Sequence, residues 1–160
     1  MSELRPNEIE VVDRAIALHS GEVGALLPIF HAVQDALGFV PDAALPKIAH
    51  ALNLSRAEVH GTLSFYHDFR TSPPGRHVLK VCRAEACQSC GGEAIAAHLE
   101  RRLGCRFGET AADGSVTLEP VYCLGNCAAA PSLLLDGELR GRLTLARLDR
   151  LVDGLAKEAT

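Results

Sequence analysis

Four of the six cysteines fall in two tight pairs, Cys82 with Cys87 and Cys123 with Cys127. Cys90 follows three places after Cys87, and Cys105 stands apart. The pattern is Cys-x4-Cys, a gap of thirty-five residues, then Cys-x3-Cys. Disulfides are scarce in the cytosol, where a cysteine cluster serves metal binding or catalysis instead. The chain reads as such a protein. Its start, MSELRPNEIEVVDR, mixes charges of both signs and lacks the apolar run of a secretory signal. Nowhere do about 18 apolar residues follow one another. A soluble, cytoplasmic protein with no direct membrane insertion is expected. Buried structural thiols are the plainer role for cysteine, and that role suits Cys105 better than the two pairs.

Four thiolates from two loops can surround one metal centre, and three chemistries compete for them. Structural zinc takes four ligands in a tetrahedron, commonly from knuckles of x2 to x4 spacing. These gaps fall in that range, so a zinc-stabilised interaction module stays open. Against it, a domain with a good core gains little from a metal staple. A thiol redox site would use Cys87-Gln-Ser-Cys90, a CxxC ahead of a helix whose N-terminus lowers a thiol pKa. It leaves Cys82, Cys123 and Cys127 without a role. An iron–sulfur rhomb takes two thiolates per iron, which suits two local pairs that meet in space. Reduction adds negative charge, and Gly91, Gly92, Gly125 and the helix start after Cys87 are placed to offer N–H donors to it. Cys82, Cys87 and Cys90 also match the plant-type ferredoxin spacing, which would need only one of the later cysteines.

No other constellation competes. There is no GxGxxG, P-loop, GxSxG or HExxH. None of the seven histidines stands two places after a cysteine, which removes the hint of a two-histidine Rieske centre. His60 and His67 lie seven apart on one predicted helix, an exposed pair without a third ligand. Arg101 and Arg102 read as a solvated helix face. Sixteen Lys and Arg against twenty Asp and Glu give a formal charge of -4, with no basic footprint for nucleic acid.

The chain of 160 residues, 48% hydrophobic and 22% charged, has the balance of a protein that buries a core. An α+β protein is expected, a small N-terminal helical bundle followed by an α/β domain that carries the cysteines. Residues 8–18, 25–37, 42–52 and a segment after Ser55 carry helical stripes. Gly38 is placed as a C-cap, and Ser55-Arg-Ala-Glu58 as a capping box. Thr71-Ser-Pro-Pro-Gly75 is the clearest break, which sets domains at residues 1–72 and 76–160. Beyond it, His77–Cys82 reads as a strand leading into the first pair, and 92–103 as a helix ended by Gly104. Val116–Tyr122 reads as a strand, interrupted at Pro120, that delivers the second pair. Ser132–Leu139 forms a hairpin around Asp136-Gly137, and Leu145–Leu155 an amphipathic helix.

At Val81-Cys-Arg-Ala-Glu-Ala-Cys87 and Cys123-Leu-Gly-Asn-Cys-Ala-Ala-Ala-Pro131 the chain resembles the thioredoxin-like [2Fe–2S] ferredoxin subunits of respiratory complex I (the 24 kDa subunit type) and of soluble NAD-linked dehydrogenases. Leu27-Pro-Ile-Phe-His-Ala-Val-Gln34 and Glu58-Val-His-Gly-Thr-Leu-Ser-Phe-Tyr66 resemble that family's N-terminal helical domain. The resemblance implies a thioredoxin-like second domain and one [2Fe–2S] cluster held by Cys82, Cys87, Cys123 and Cys127. Cys90 falls where no ligand is required, and is expected as an extra, buried thiol. It implies an electron-transfer subunit with no catalytic residue of its own, beside a flavoprotein carrying FMN, an NAD site and a [4Fe–4S] cluster. The wording Arg83-Ala-Glu-Ala-Cys-Gln88 resembles the gamma subunits of NAD-dependent formate dehydrogenases, whose molybdenum cofactor belongs to a larger catalytic subunit. Complex I and NAD-linked hydrogenase are the neighbouring alternatives.

Overall fold

The computed structural model describes residues 4–157. The chain divides between Pro73 and Pro74 into two compact units. Two successive prolines forbid helix there and withhold two backbone N–H groups.

The first unit holds α1 (Pro6–His19), α2 (Leu26–Leu37), α3 (Leu45–Leu52) and α4 (Arg56–Phe65). Pro6 opens α1, where its fixed φ suits the first turn. The buried Glu8 carboxylate accepts from the Arg5 backbone N–H at 2.8 Å and from its guanidinium. Burial alone raises a carboxyl pKa, but the Arg5 hydrogen bonds outweigh it and hold Glu8 below its ordinary value. Gly38 caps α2 at φ 84°, and Ser55 with Glu58 closes the capping box on α4. The expected third helix starts late. Asp42–Ala44 is a 3₁₀ turn, and α3 begins at Leu45 because Pro46 belongs in a first turn. Helix α4 ends at Phe65, with Tyr66 already extended, so His67 lies beyond it and is not aligned with His60. Val12, Ile29, Phe30, Val33, Val40, Ile48 and Val59 form the core, and the Phe30 ring meets Phe69 edge-on at 5.2 Å.

The second unit holds β1 (His77–Cys82), α5 (Glu85–Ser89), α6 (Gly92–Leu103), β2 (Glu109–Thr110), β3 (Val116–Val121), β4 (Leu133–Leu135), β5 (Glu138–Arg140) and α7 (Leu145–Lys157). The sheet runs β2-β3-β1-β4-β5. Strands β1 and β3 are parallel and the other pairs antiparallel. The crossover from β1 to β3 passes through α6, as a parallel pair requires. Leu79, Val81, Val116, Leu118 and Leu133 of the sheet share one core with Ile95 and Leu99 of α6 and Leu148, Val152 and Leu155 of α7. Pro120 does not break β3. It lies opposite Val81, while β2 reaches only Thr117 and Leu118, so no ladder on the far flank asks for its missing N–H. Asp136 and Gly137 both take positive φ, the type I′ hairpin signature. Arg102 is less free than expected: its guanidinium pairs with Asp153, and His98 bonds Asp149 at 2.7 Å, tying α6 to α7. Among the described residues no helix is long and apolar enough to cross a membrane.

Candidate metal centre

The parallel register decides where the cysteines go. Cys82, the last residue of β1, stands opposite Val121, the last of β3. Both strands leave the sheet at the same end, where open α/β sheets hold their ligands. Cys87 lies in α5 and Cys127 opens a 3₁₀ turn, so two of the four stand on short helical turns rather than open loop. The first pair is buried, at 4% exposure for Cys82 and 2% for Cys87, whereas Cys123 and Cys127 are exposed. Cys105 is buried in the core, as expected. Cys90 is exposed and not the buried thiol expected of it, because it is the C-cap of α5 and not part of either helix's inner face.

The sulfur contacts run within the pairs. Cys82 and Cys87 share a thiol hydrogen bond. Cys123 and Cys127 stand 3.8 Å apart, Sγ to Sγ. Two thiolates on one tetrahedral metal at about 2.3 Å would stand about 3.8 Å apart, so this pair already has the spacing of two ligands on a single ion. Among the described residues no three His, Cys, Asp or Glu side chains converge as ligands of one ion. Charge couples the pairs, since Cys127 acts on Cys87 and Cys82 on Cys127.

Backbone donors line the sulfurs. Burial pushes the Cys82 thiol up, but N–H groups of Ala84, Cys123 and Leu124 and the Cys87 thiol outweigh it and hold it below the ordinary thiol value. Cys123 adopts φ 92°, unusual for a residue with a Cβ, in the turn that presents these N–H groups. Gly125, at φ 72°, donates its N–H to the Cys123 sulfur at 3.3 Å. Cys87 is pushed up by burial and by the Cys82 thiol, against one N–H from Ser132. Cys127 is pushed up chiefly by its bond to Cys123. Metal binding would displace the thiol protons.

Of the expected glycine donors, Gly125 donates to a thiol. Gly92 has a different task. A Cβ there would lie 2.5 Å from the Cys87 carbonyl oxygen, so the glycine lets α6 start against the turn that holds Cys87. Sequence reasoning missed the supports around the ligand turns. Gln88 Nε2 donates to the Arg83 carbonyl at 2.8 Å, and Arg83 grips Glu93 through both carboxylate oxygens while lying over the Phe107 ring. Asn126, Ser132 and Gly141 meet beneath the second pair. Only contacts made on folding reveal these groups.

A mixed sheet with a βαβ crossover and an antiparallel hairpin, its cysteine pairs at and beyond the ends of two parallel strands, defines an α+β protein with a thiol-rich sheet end. The family described as thioredoxin-like [2Fe-2S] ferredoxin matches residues 12–156, and the chain belongs to it. The chain is 38% identical over 144 residues to an NADH-quinone oxidoreductase subunit of Rhizobium meliloti, covering 90% of this chain and 86% of that one. It is 32% identical over 151 residues to the corresponding NADH-quinone oxidoreductase subunit of Escherichia coli, covering 94% and 91%. Among solved structures, a chain of an NAD+-reducing [NiFe]-hydrogenase in the air-oxidised state superposes with a TM-score of 0.69 at 27% identity. That match covers 82% of this chain but only 23% of the hydrogenase chain.

Proposed function

We propose that Cys82, Cys87, Cys123 and Cys127 hold one [2Fe–2S] cluster, and that the chain is the electron-transfer subunit of an NAD-linked oxidoreductase complex. The observation that supports the reading is that parallel β1 and β3 end side by side, at Cys82 and Val121, so both thiol pairs leave the sheet at one end, one pair buried and one exposed. The donor set fits the group: two thiols in contact within each pair, and N–H groups aimed at the sulfurs. A bound cluster would supply reversible one-electron storage. The residues do the rest. Cys82 and Cys87 anchor the inner side away from water, the N–H groups of Ala84, Cys123, Leu124 and Gly125 offset negative charge on sulfur, and exposed Cys123 and Cys127 leave the outer side open to a partner's redox group.

The partner in this reading is a flavoprotein subunit carrying FMN, an NAD site and a [4Fe–4S] cluster. The relatives' names support an NADH-linked complex, and the hydrogenase likeness supports the wider class. Within it we favour a formate dehydrogenase with a larger molybdenum-containing subunit, on the Arg83–Gln88 wording; complex I and hydrogenase are the alternatives. Six free cysteines suit a reducing, cytoplasmic setting. Residues 1–70, in the first domain, are assigned to docking, and residues 76–160 to the cluster.

The experiment begins with protein purified without oxygen. Two irons and two acid-labile sulfides per chain are expected, with a paramagnetic signal after dithionite reduction; a colourless zinc protein would sink the reading. Serine at Cys82, Cys87, Cys123 or Cys127 should lose or badly perturb the spectrum, while Cys90→Ser leaves it intact. A bleached Cys90→Ser beside a normal Cys127→Ser would overturn the ligand set. Co-purification of the tagged full chain with its native complex identifies the enzyme: a molybdenum subunit supports the formate reading, and a quinone-linked or nickel-containing assembly replaces it.

A further inference from the structure

Ser132 is 1% exposed, and every polar group it carries is engaged at the cysteine turns. Its carbonyl accepts the Cys82 N–H at 3.1 Å. Its own N–H donates to the Cys87 sulfur. Its hydroxyl accepts from Asn126 Nδ2 at 3.1 Å and donates to the Ala129 carbonyl at 3.2 Å. Asn126 lies between Cys123 and Cys127, so the main chain of Ser132 serves the first pair and its side chain holds the turn of the second. The Ala129 carbonyl also accepts the Arg142 N–H, and a Cβ on Gly141 would lie 2.7 Å from Asn126 Nδ2. The amide is therefore wedged from below as well as bonded from the side.

From this geometry we infer that the Ser132 hydroxyl, acting through Asn126, is a positioning device that sets the reduction potential of the cluster. It fixes the turn whose Cys123, Leu124 and Gly125 N–H groups point at sulfur. Those donors favour the more negative, reduced state, so a loosened turn favours the oxidised state. Ser132→Ala removes the hydroxyl but keeps both main-chain bonds, and it leaves Asn126 Nδ2 without its buried acceptor. The expected result is a tenfold shift toward the oxidised cluster, a fall of about 59 mV for a one-electron couple.

The inference rests on the four-cysteine reading above. The test is a redox titration of the full-length, cluster-loaded chain, followed by paramagnetic resonance, for wild type, Ser132→Ala, Asn126→Ala and the double variant. Both singles should fall by a similar amount, and the double by no more than either, because the two groups act as one unit. Unchanged potentials in the singles, or shifts that add in the double, overturn the inference while leaving the ligand set standing. A wild-type chain without a [2Fe–2S] signal overturns the ligand reading instead. If Ser132→Ala fails to retain a cluster, Asn126→Ala decides: a lowered potential supports the inference and a wild-type potential overturns it.

Discussion

Two glycines, both helical and both in the second unit, should respond in opposite directions to the same methyl group. Gly154 lies within α7, and nothing stands within 4 Å of a Cβ built there. Replacing it by alanine relieves the backbone entropy that glycine loses on folding, which should stabilise the unit by about 0.5–1 kcal/mol. Gly92 opens α6, where propensity alone predicts the same gain. Its Cβ, however, would lie 2.5 Å from the Cys87 carbonyl oxygen and 2.8 Å from its carbonyl carbon, both main-chain atoms. Ordinary Cβ contacts stay beyond 3.0 Å, so the Cys87 turn must move by at least about 0.5 Å. Overpacking of this kind costs about 1–3 kcal/mol, which exceeds the propensity gain. The displacement also reaches the tolerance of about 0.5 Å within which a binding constellation must be held. Urea unfolding of the cluster-free protein, followed by far-ultraviolet circular dichroism, checks the stability, and iron content after reconstitution checks the site. Gly92→Ala should unfold earlier and load less iron, and Gly154→Ala should do neither. A Gly92→Ala protein as stable as Gly154→Ala and fully loaded would refute the steric argument.

Two further outcomes are expected. Cys105→Ser puts a hydroxyl into an apolar core, where an unpaired hydroxyl costs about 1–3 kcal/mol; the urea midpoint should fall while the visible spectrum of the loaded protein stays unchanged. In the first unit, Arg5 depresses the Glu8 pKa, so Glu8 contributes stability above its unfolded pKa and loses it as pH falls through the lower folded value. Glu8→Gln should therefore destabilise at neutral pH, and its difference from wild type should close in acid; a difference independent of pH would refute the assignment.

What the sequence made legible follows the range of the forces involved. Strand β1 and helix α6 stand where their periods placed them, because six and twelve residues with a clear apolar phase carry their own signal. Strand β2 has only Glu109 and Thr110, with no pattern to read, and exists because β3 offers it a partner. Helix α5, Glu85–Ser89, has only five residues around Cys87, too few to show a helical period. The cysteine pairs were visible as chemistry, but Asn126, Ser132 and Gly141 were not. Their roles come from a chain that returns to the turn after Pro131 and again after β5, which no local window contains.

The parallel pairing of β1 with β3 also sets an order of events during maturation. Each thiol pair is local in sequence and can exist as half a site in a nascent chain, but the halves meet only after α6 has crossed over and Val121 has paired with Cys82. The second half is braced only when the Arg142 N–H reaches the Ala129 carbonyl. A chain halted before Val121 holds the first pair alone, with no strand to bring the second beside it. On the four-cysteine reading, tertiary structure would act as an inspection step, because only a chain that has completed the parallel pairing brings both thiol pairs to one end of the sheet.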